Sequence, residues 1–235
     1  MGKNFKKFFY LILILLIPIF LIQQWSKNAS HYFKDLGYKL EELDKLVDDT
    51  ILVKEISKVQ VPDFSFLKYI NDSISNQDLL GHNYIIQFFF TACPTICPTS
   101  TVNIRNEIHN KFINVDGFKI LSISIAEDSP QKISDYCKRF NIDSPNWIFL
   151  TGSRDEAWSF ATDLSLSAGF GSKEEGGFFH SPFIVLVDKE GFIRTGIDKQ
   201  KNTKTVWDAT SFSDMELLSE DISQLFFNQN KPFKE

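Results

Sequence analysis

"YIIQFFFTACPTICPTS", residues 84–100, decides the fold. Its first half, Tyr84 to Thr91, is a nearly continuous apolar run of strand length, the kind buried on both faces of a sheet. Its second half sets Cys93 and Cys97 four positions apart, each followed by a proline. Proline is favoured in the first helical turn, so a helix is expected to begin at or near Pro94, with both sulfurs on one face. A helix N-terminus carries partial positive charge and free N–H donors, which stabilise thiolate over thiol and make such cysteines nucleophilic and metal-binding. The bland alternative, a chance pair of small apolar residues, fits poorly in a chain with only three cysteines, two of them flanked by prolines after a buried strand. Spacing alone does not separate a redox disulfide from a metal clip.

The flanks give the strand a sheet to join. Downstream of the cysteines, Val102, Ile104, Ile108 and Phe112 fit a helix. "FKILSISI", residues 118–125, reads as a second strand, and Ser129 followed by Pro130 opens a helix running to about Phe140. "WIFL", residues 147–150, is a short strand, after which Ser153 and Glu156 form a capping-box pattern for another helix. "FIVLVDKEGFIRTGI", residues 183–197, reads as a hairpin turning at Lys189-Glu190-Gly191. Ser213 and Glu216 form a second capping box, starting a last helix through about Phe227. The alternation describes an α/β protein with a mixed sheet flanked by helices.

Upstream of residue 61 the composition changes. Lys3, Lys6 and Lys7 precede "FFYLILILLIPIFLIQQWS", 19 uncharged residues from Phe8 to Ser26, long enough to cross a bilayer core of about 30 Å as a helix. No small-x-small cleavage site follows, so residues 1–27 read as a short cytoplasmic tail and an uncleaved N-terminal transmembrane helix. The lysine bias places everything beyond on the opposite side of the membrane. The short stretch before the span leaves no room for an Arg-rich transit peptide, which points to a bacterial inner membrane and a domain facing the periplasm. Residues 28–60, with Leu36, Leu40, Leu43, Leu46 and Val47 at helical spacing among charges, read as a helical spacer. Residues 61–235 remain as one domain, a size that buries its own core. A formal net charge of −5 without clustered Lys and Arg excludes a nucleic-acid partner.

With the cysteine stretch in this setting, the chain resembles the Sco/SenC family. "FFFTACPTICP" matches that family's phenylalanine-rich strand and Cys-Pro-x-x-Cys-Pro signature, and the resemblance extends from "VPDFSF", residues 61–66, to the helix near residue 227, along with the anchor. It implies a thioredoxin-like fold and a membrane-anchored copper protein of cytochrome c oxidase assembly. The family also has an essential downstream histidine, and "FFHSPFIVLVDKEGFIR" supplies His180 in that place. The implied metal ligands are Cys93, Cys97 and His180, holding one copper ion per domain. Two thiolates and an imidazole suit Cu(I) while keeping Cu(II) accessible, and zinc would want a fourth ligand that is not evident. His31, His82 and His109 are rival donors read as surface histidines, and Cys137 as a buried small hydrophobe. Thioredoxin-like folds generally keep a cis-proline beside the redox cysteines, so Ser181–Pro182 is expected to be cis.

Two departures from the family stand out. Ala126 in "SISIAEDSP" occupies the place of an acidic residue, which Glu127 or Asp128 would have to replace, and "DKQKNTKTVWDATSFSD", residues 198–214, is longer and more polar than the usual tail of the hairpin. The implied function is a metallochaperone delivering copper to the copper-accepting subunit of the oxidase. The alternative is a thiol-disulfide oxidoreductase using Cys93 and Cys97 to keep oxidase cysteines reduced, itself recharged by a thiol reductant.

Overall fold

The computed structural model describes residues 16–18, 36–47, 51–69 and 72–229. It divides into two units, Met1–Asp35 and Leu36–Glu235. The expected membrane-spanning stretch and His31 lie outside the described residues, apart from a helical turn at 16–18. Among the described residues no helix is long and apolar enough to cross a membrane.

The second unit starts earlier than residue 61 and without a helical spacer. Leu36 is buried in the core, and β1 (Gly37–Tyr38) pairs with a strand more than 150 residues away. β2 (Leu40–Val47) and β3 (Ile51–Lys58) form an antiparallel hairpin, Leu40 opposite Lys58 and Val47 opposite Ile51. The leucine spacing that reads as helix is outweighed by the β-branched set Ile51, Val53 and Ile56. The described residues of the expected spacer, 36–47 and 51–60, therefore contribute strands to the folded unit.

The central layer follows the expected pattern. β4 (Ser65–Lys68) and β5 (Ser73–Ser75) lead to β6 (Asn83–Phe89), all seven of whose residues are buried. α1 (Ile96–Ile104) continues through a π-helical turn, Arg105–His109, and a closing turn, Asn110–Phe112. β7 (Phe118–Ser124), α2 (Pro130–Arg139), β8 (Trp147–Thr151) and α3 (Arg154–Asp163) complete two right-ordered crossover units. Ser129 Oγ and Ser153 Oγ accept from the N–H groups of Lys132 and Glu156, the side-chain caps expected at those starts. β9 (Ala168–Phe170) and β10 (Phe178–His180) form a separate two-stranded ribbon, followed by β11 (Phe183–Val187) and β12 (Arg194–Ile197). β13 (Thr203–Lys204), β14 (Trp207–Asp208) and α4 (Phe212–Gln229) end the chain. The main sheet has the order β14-β11-β6-β7-β8-β4-β5, with β6–β7 and β7–β8 parallel and β11–β6 antiparallel. It is the mixed, thioredoxin-like α/β sheet.

Three local expectations need correction. The 183–197 hairpin turns at 189–191, where the Asp188 N–H bonds the Phe192 carbonyl at 3.0 Å, but its arms share one bridge, Val187 to Ile193, because β12 turns away to pair with β1 and β13. α4 starts at Phe212, capped by Ser211, whose Oγ accepts from the Asp214 N–H; the same Ser-x-x-acid pattern lies two residues before the expected box. The 198–214 stretch, for all its polarity, is built into the fold: it adds β14 to the sheet edge beside β11, and Trp207 is fully buried.

Candidate metal centre

β6 ends at the edge of the core, and the chain turns there. Cys93 N–H closes a turn onto the Phe90 carbonyl at 3.2 Å, and α1 begins only at Ile96, two residues later than expected. Thr95 occupies the N-cap but its side chain caps nothing. Instead the Cys97 N–H points at Cys93 Sγ, 3.4 Å away, so the sulfur takes the donor that a serine or aspartate cap ordinarily would. This geometry selects a thiolate at Cys93. A hydrogen bond from the Cys97 thiol, supported by His180 and by the N–H groups of Cys97 and Thr95, pulls Cys93 far below the ordinary thiol range, against the opposing effect of burial. Cys97 moves the other way: burial first, then its bond to Cys93 and the charge there, hold it as a thiol.

His180 arrives from the ribbon. It is the last residue of β10, opposite Ala168, and is only 5% exposed. Nδ1 lies 2.9 Å from the Ser181 carbonyl oxygen, which can only accept, so Nδ1 carries a proton, and Nε2 lies 2.9 Å from Cys97 Sγ. Phe90 packs edge-on against the imidazole, with centroids 6.1 Å apart. One donor atom from each of Cys93, Cys97 and His180 lies within 4.8 Å of the others, all three residues buried. A set of two sulfurs and one tautomer-fixed imidazole nitrogen fits a soft or borderline metal ion, and three ligands leave a position open. Cys93 and His180 line a cleft of about 250 Å³ together with Thr95, Phe178, Phe179 and Pro182, and Cys97 lies behind them.

The support around the site was only partly foreseen. Asp128, raised as a substitute for the missing acid, is buried and accepts from Thr91 N–H at 2.9 Å, Thr91 Oγ1 at 2.6 Å and Ser124 Oγ at 2.9 Å. It thus ties the end of β6 to the end of β7 two residues before Cys93. Glu127 turns to cap α3, accepting from the Arg154 N–H. Tyr136 on α2 was not singled out at all. Its hydroxyl meets Thr101 Oγ1 at 2.7 Å and donates to the Cys97 carbonyl at 3.4 Å, bracing the first turn of α1 from below. Nothing in the order of residues links Tyr136 to Cys97, because the two sit on different crossovers.

The rivals stand elsewhere. His82 precedes β6 at the end remote from the cysteines. His109, expected at the surface, is instead 6% exposed and packs on Trp147 with centroids 5.4 Å apart; the π-helical turn rotates it inward. Cys137 is buried as expected, its thiol pushed up to about 12 by burial, and it lines a different cavity with Tyr69 and Asp143. Ser181–Pro182 is trans, since the described chain has no cis peptide bond. Ser181 N–H bonds Ser167 and the Pro182 carbonyl accepts from Ala209, so ladders on both sides hold the link extended and no tight turn demands the cis form.

Comparisons with known proteins bear on the family and the fold. The SCO1/SenC family model matches residues 55–211, a span that contains both cysteines and the histidine. The mitochondrial SCO2 homolog of Danio rerio is 29% identical over 147 residues, covering 60% of this chain and 52% of that protein, so the chain aligns with about half the length of that relative. In three dimensions the fold is similar to BsSco, described as having a disulfide switch and as a member of the Sco family of cytochrome c oxidase assembly proteins (TM-score 0.58, 21% identity, 71% of this chain and 92% of that one). It is also similar to yeast Sco1 with copper bound (TM-score 0.55, 23% identity, 75% of this chain and 96% of that one).

Proposed function

The chain belongs to the SCO1/SenC family, and from that premise we propose that it binds one copper ion through Cys93, Cys97 and His180 and passes it to a copper-accepting subunit during cytochrome c oxidase assembly. The observation that carries this reading is the convergence of three buried donors, with the imidazole nitrogen 2.9 Å from Cys97 Sγ. Copper is cargo in this reading, and the residues do three things to it. The sulfurs favour Cu(I) and His180 keeps Cu(II) within reach. Burial slows exchange with water and with small thiols. The cleft at Cys93 and His180 lets an incoming ligand displace those two before Cys97. The relatives support the same direction, yeast Sco1 having been seen with copper and BsSco being named an oxidase assembly factor.

A specific observation favours a second, compatible activity. Cys93 is the thiolate at a helix start and Cys97 the adjacent thiol. In thiol exchange Cys93 Sγ would attack a disulfide of the partner, releasing one of its sulfurs as thiolate; Cys97, losing its proton, would then attack Cys93 Sγ and release the second. The partner gains two electrons and this pair ends as a disulfide, which a thiol reductant must restore before copper can load. We place the domain on the periplasmic side of a bacterial inner membrane, on the strength of the 8–26 apolar stretch and the three lysines before it. The test is an anaerobic Cu(I) titration of the reduced full-length chain with X-ray absorption. One equivalent with two sulfurs and one nitrogen supports the proposal; binding that survives oxidation of the pair to a disulfide overturns it.

A further inference from the structure

We infer that Gly176 is a positioning residue, a latch that seats the β9–β10 ribbon on the cysteine loop and thereby decides whether His180 joins Cys93 and Cys97. Its functional meaning rests on the metal-binding reading above; the latch itself rests on geometry. β9 and β10 pair with each other and with no strand of the main sheet. An isolated two-stranded ribbon is marginal in water, so its seat has to come from packing. Phe178 supplies part, against Phe90 at 5.7 Å between centroids. Trp158 on α3 supplies more, edge-on to Phe170 at 4.9 Å, and the tip completes the seat on the cysteine loop.

The turn from Gly171 to Gly177 is closed by its own bonds: Gly176 N–H to Lys173, Gly177 N–H to Ser172 and Gly171 N–H to Gly177. Gly176 and Gly177 both have left-handed backbones, φ +86° and +89°, where glycine alone is unstrained. Their surroundings differ. A Cβ on Gly176 would stand 2.9 Å from the Ala92 carbonyl oxygen, 3.0 Å from the Phe90 ring and 3.4 Å from Pro94 Cδ, while one on Gly177 would meet nothing within 4 Å. Ala92 O is backbone immediately before Cys93 and cannot yield without moving that loop. The ribbon therefore touches the cysteine loop at two points: its tip lies on Ala92 and Pro94, and four residues later His180 meets Cys97. Lifting the tip withdraws the imidazole and leaves both sulfurs where the loop and α1 hold them. The fold can thus offer either three donors or two thiols.

The pair Gly176→Ala and Gly177→Ala isolates the contact, because both variants carry the same left-handed strain and only the first carries the clash. In the reduced, metal-free full-length chain, nitrogen NMR of the imidazoles should report one fixed tautomer for His180 in the wild type and in Gly177→Ala, and an averaged, solvent-exchanging one in Gly176→Ala. Gly176→Ala should also bind Cu(I) at least tenfold more weakly, a loss in the same direction as that of His180→Ala, while its Cys93–Cys97 disulfide still forms. If Gly176→Ala fails to fold, inserting two glycines between Gly176 and Gly177 lengthens the tip without adding a side chain and should give the same imidazole signature. A wild-type His180 signature in the variant that folds, or equal losses in the two alanine variants, overturns the latch. The metal-free NMR decides it even if copper binding by the wild type fails, so the two readings fall separately.

Discussion

His180 and His109 are hidden to the same degree, 5% and 6% exposed, and each rests against an aromatic ring. Their polar atoms fare differently. Both nitrogens of His180 are engaged, one by a backbone carbonyl and one by a thiol; neither nitrogen of His109 has a hydrogen-bond partner. The first sits where a ribbon from one part of the chain meets a helix start from another, so its surroundings are polar and arranged. The second sits inside a helix whose widened turn drives it into the core, against Trp147. Burial by itself does not make a site, since desolvation penalises any imidazole. Donors converging from separate elements do.

The sharpest way to break the comparison is to remove each ring. His180→Ala is expected to weaken Cu(I) binding at least about 100-fold, more than the loss usual for a group that only orients a ligand. His109→Ala should leave that affinity within about twofold while costing about 1–2 kcal/mol of stability for the void beside Trp147. Competition with a chromophoric Cu(I) chelator reads the first and denaturant unfolding the second. Equal effects of the two variants on affinity would end the distinction.

What the sequence discloses about these regions follows the range of the interaction. β6, β7, α2 and β8 are legible because apolar runs and caps act over a few residues, and the cysteine pair is legible because it sits at a strand-to-helix junction. His180 is recognisable by resemblance, but the ribbon that carries it is not, since β9 and β10 have three residues each and no periodicity can develop. His109 reads as a surface residue at standard helical spacing; the π-helical turn that buries it shifts that spacing and depends on what packs above. The β2–β3 hairpin reads as helix because four leucines at i, i+3 and i+4 imitate an amphipathic face. Its strand character comes from pairing across the chain, which no single arm displays.

Asp221 provides an intermediate case, with one partner where His180 has two and His109 none. It is buried in α4, takes one hydrogen bond from Trp207 Nε1 at 3.1 Å, and burial raises its carboxyl to about 7 despite that bond. The native state then keeps a proton that the unfolded chain releases above about pH 4. Native binding of more protons makes stability fall as pH rises from about 4 through about 7. Asp221→Asn, which mimics the protonated acid and can still accept from Trp207, should match the wild type near pH 4 and exceed it at pH 8 by about 2 kcal/mol, roughly 5 °C in Tm. Calorimetry at the two pH values checks this; an Asn variant less stable at pH 8 would show that the carboxylate is held charged.

His109 should give the smallest and opposite effect. Burial holds its imidazole below the ordinary range, helped by the charge of Arg105 and opposed by neighbouring Asn110. Trp147 packs against the ring. Here the unfolded chain binds the extra proton, so stability is present above about pH 6.5 and declines as pH falls below it. Between pH 7 and 5 the wild type should therefore lose stability that His109→Leu does not lose, read as a flatter dependence of the urea midpoint on pH. The slope removed by His109→Leu should be the same with and without the metal. A slope that survives the substitution would place the acid sensitivity in another group and erase the contrast between a histidine that is buried for a purpose and one that is buried because its helix turned.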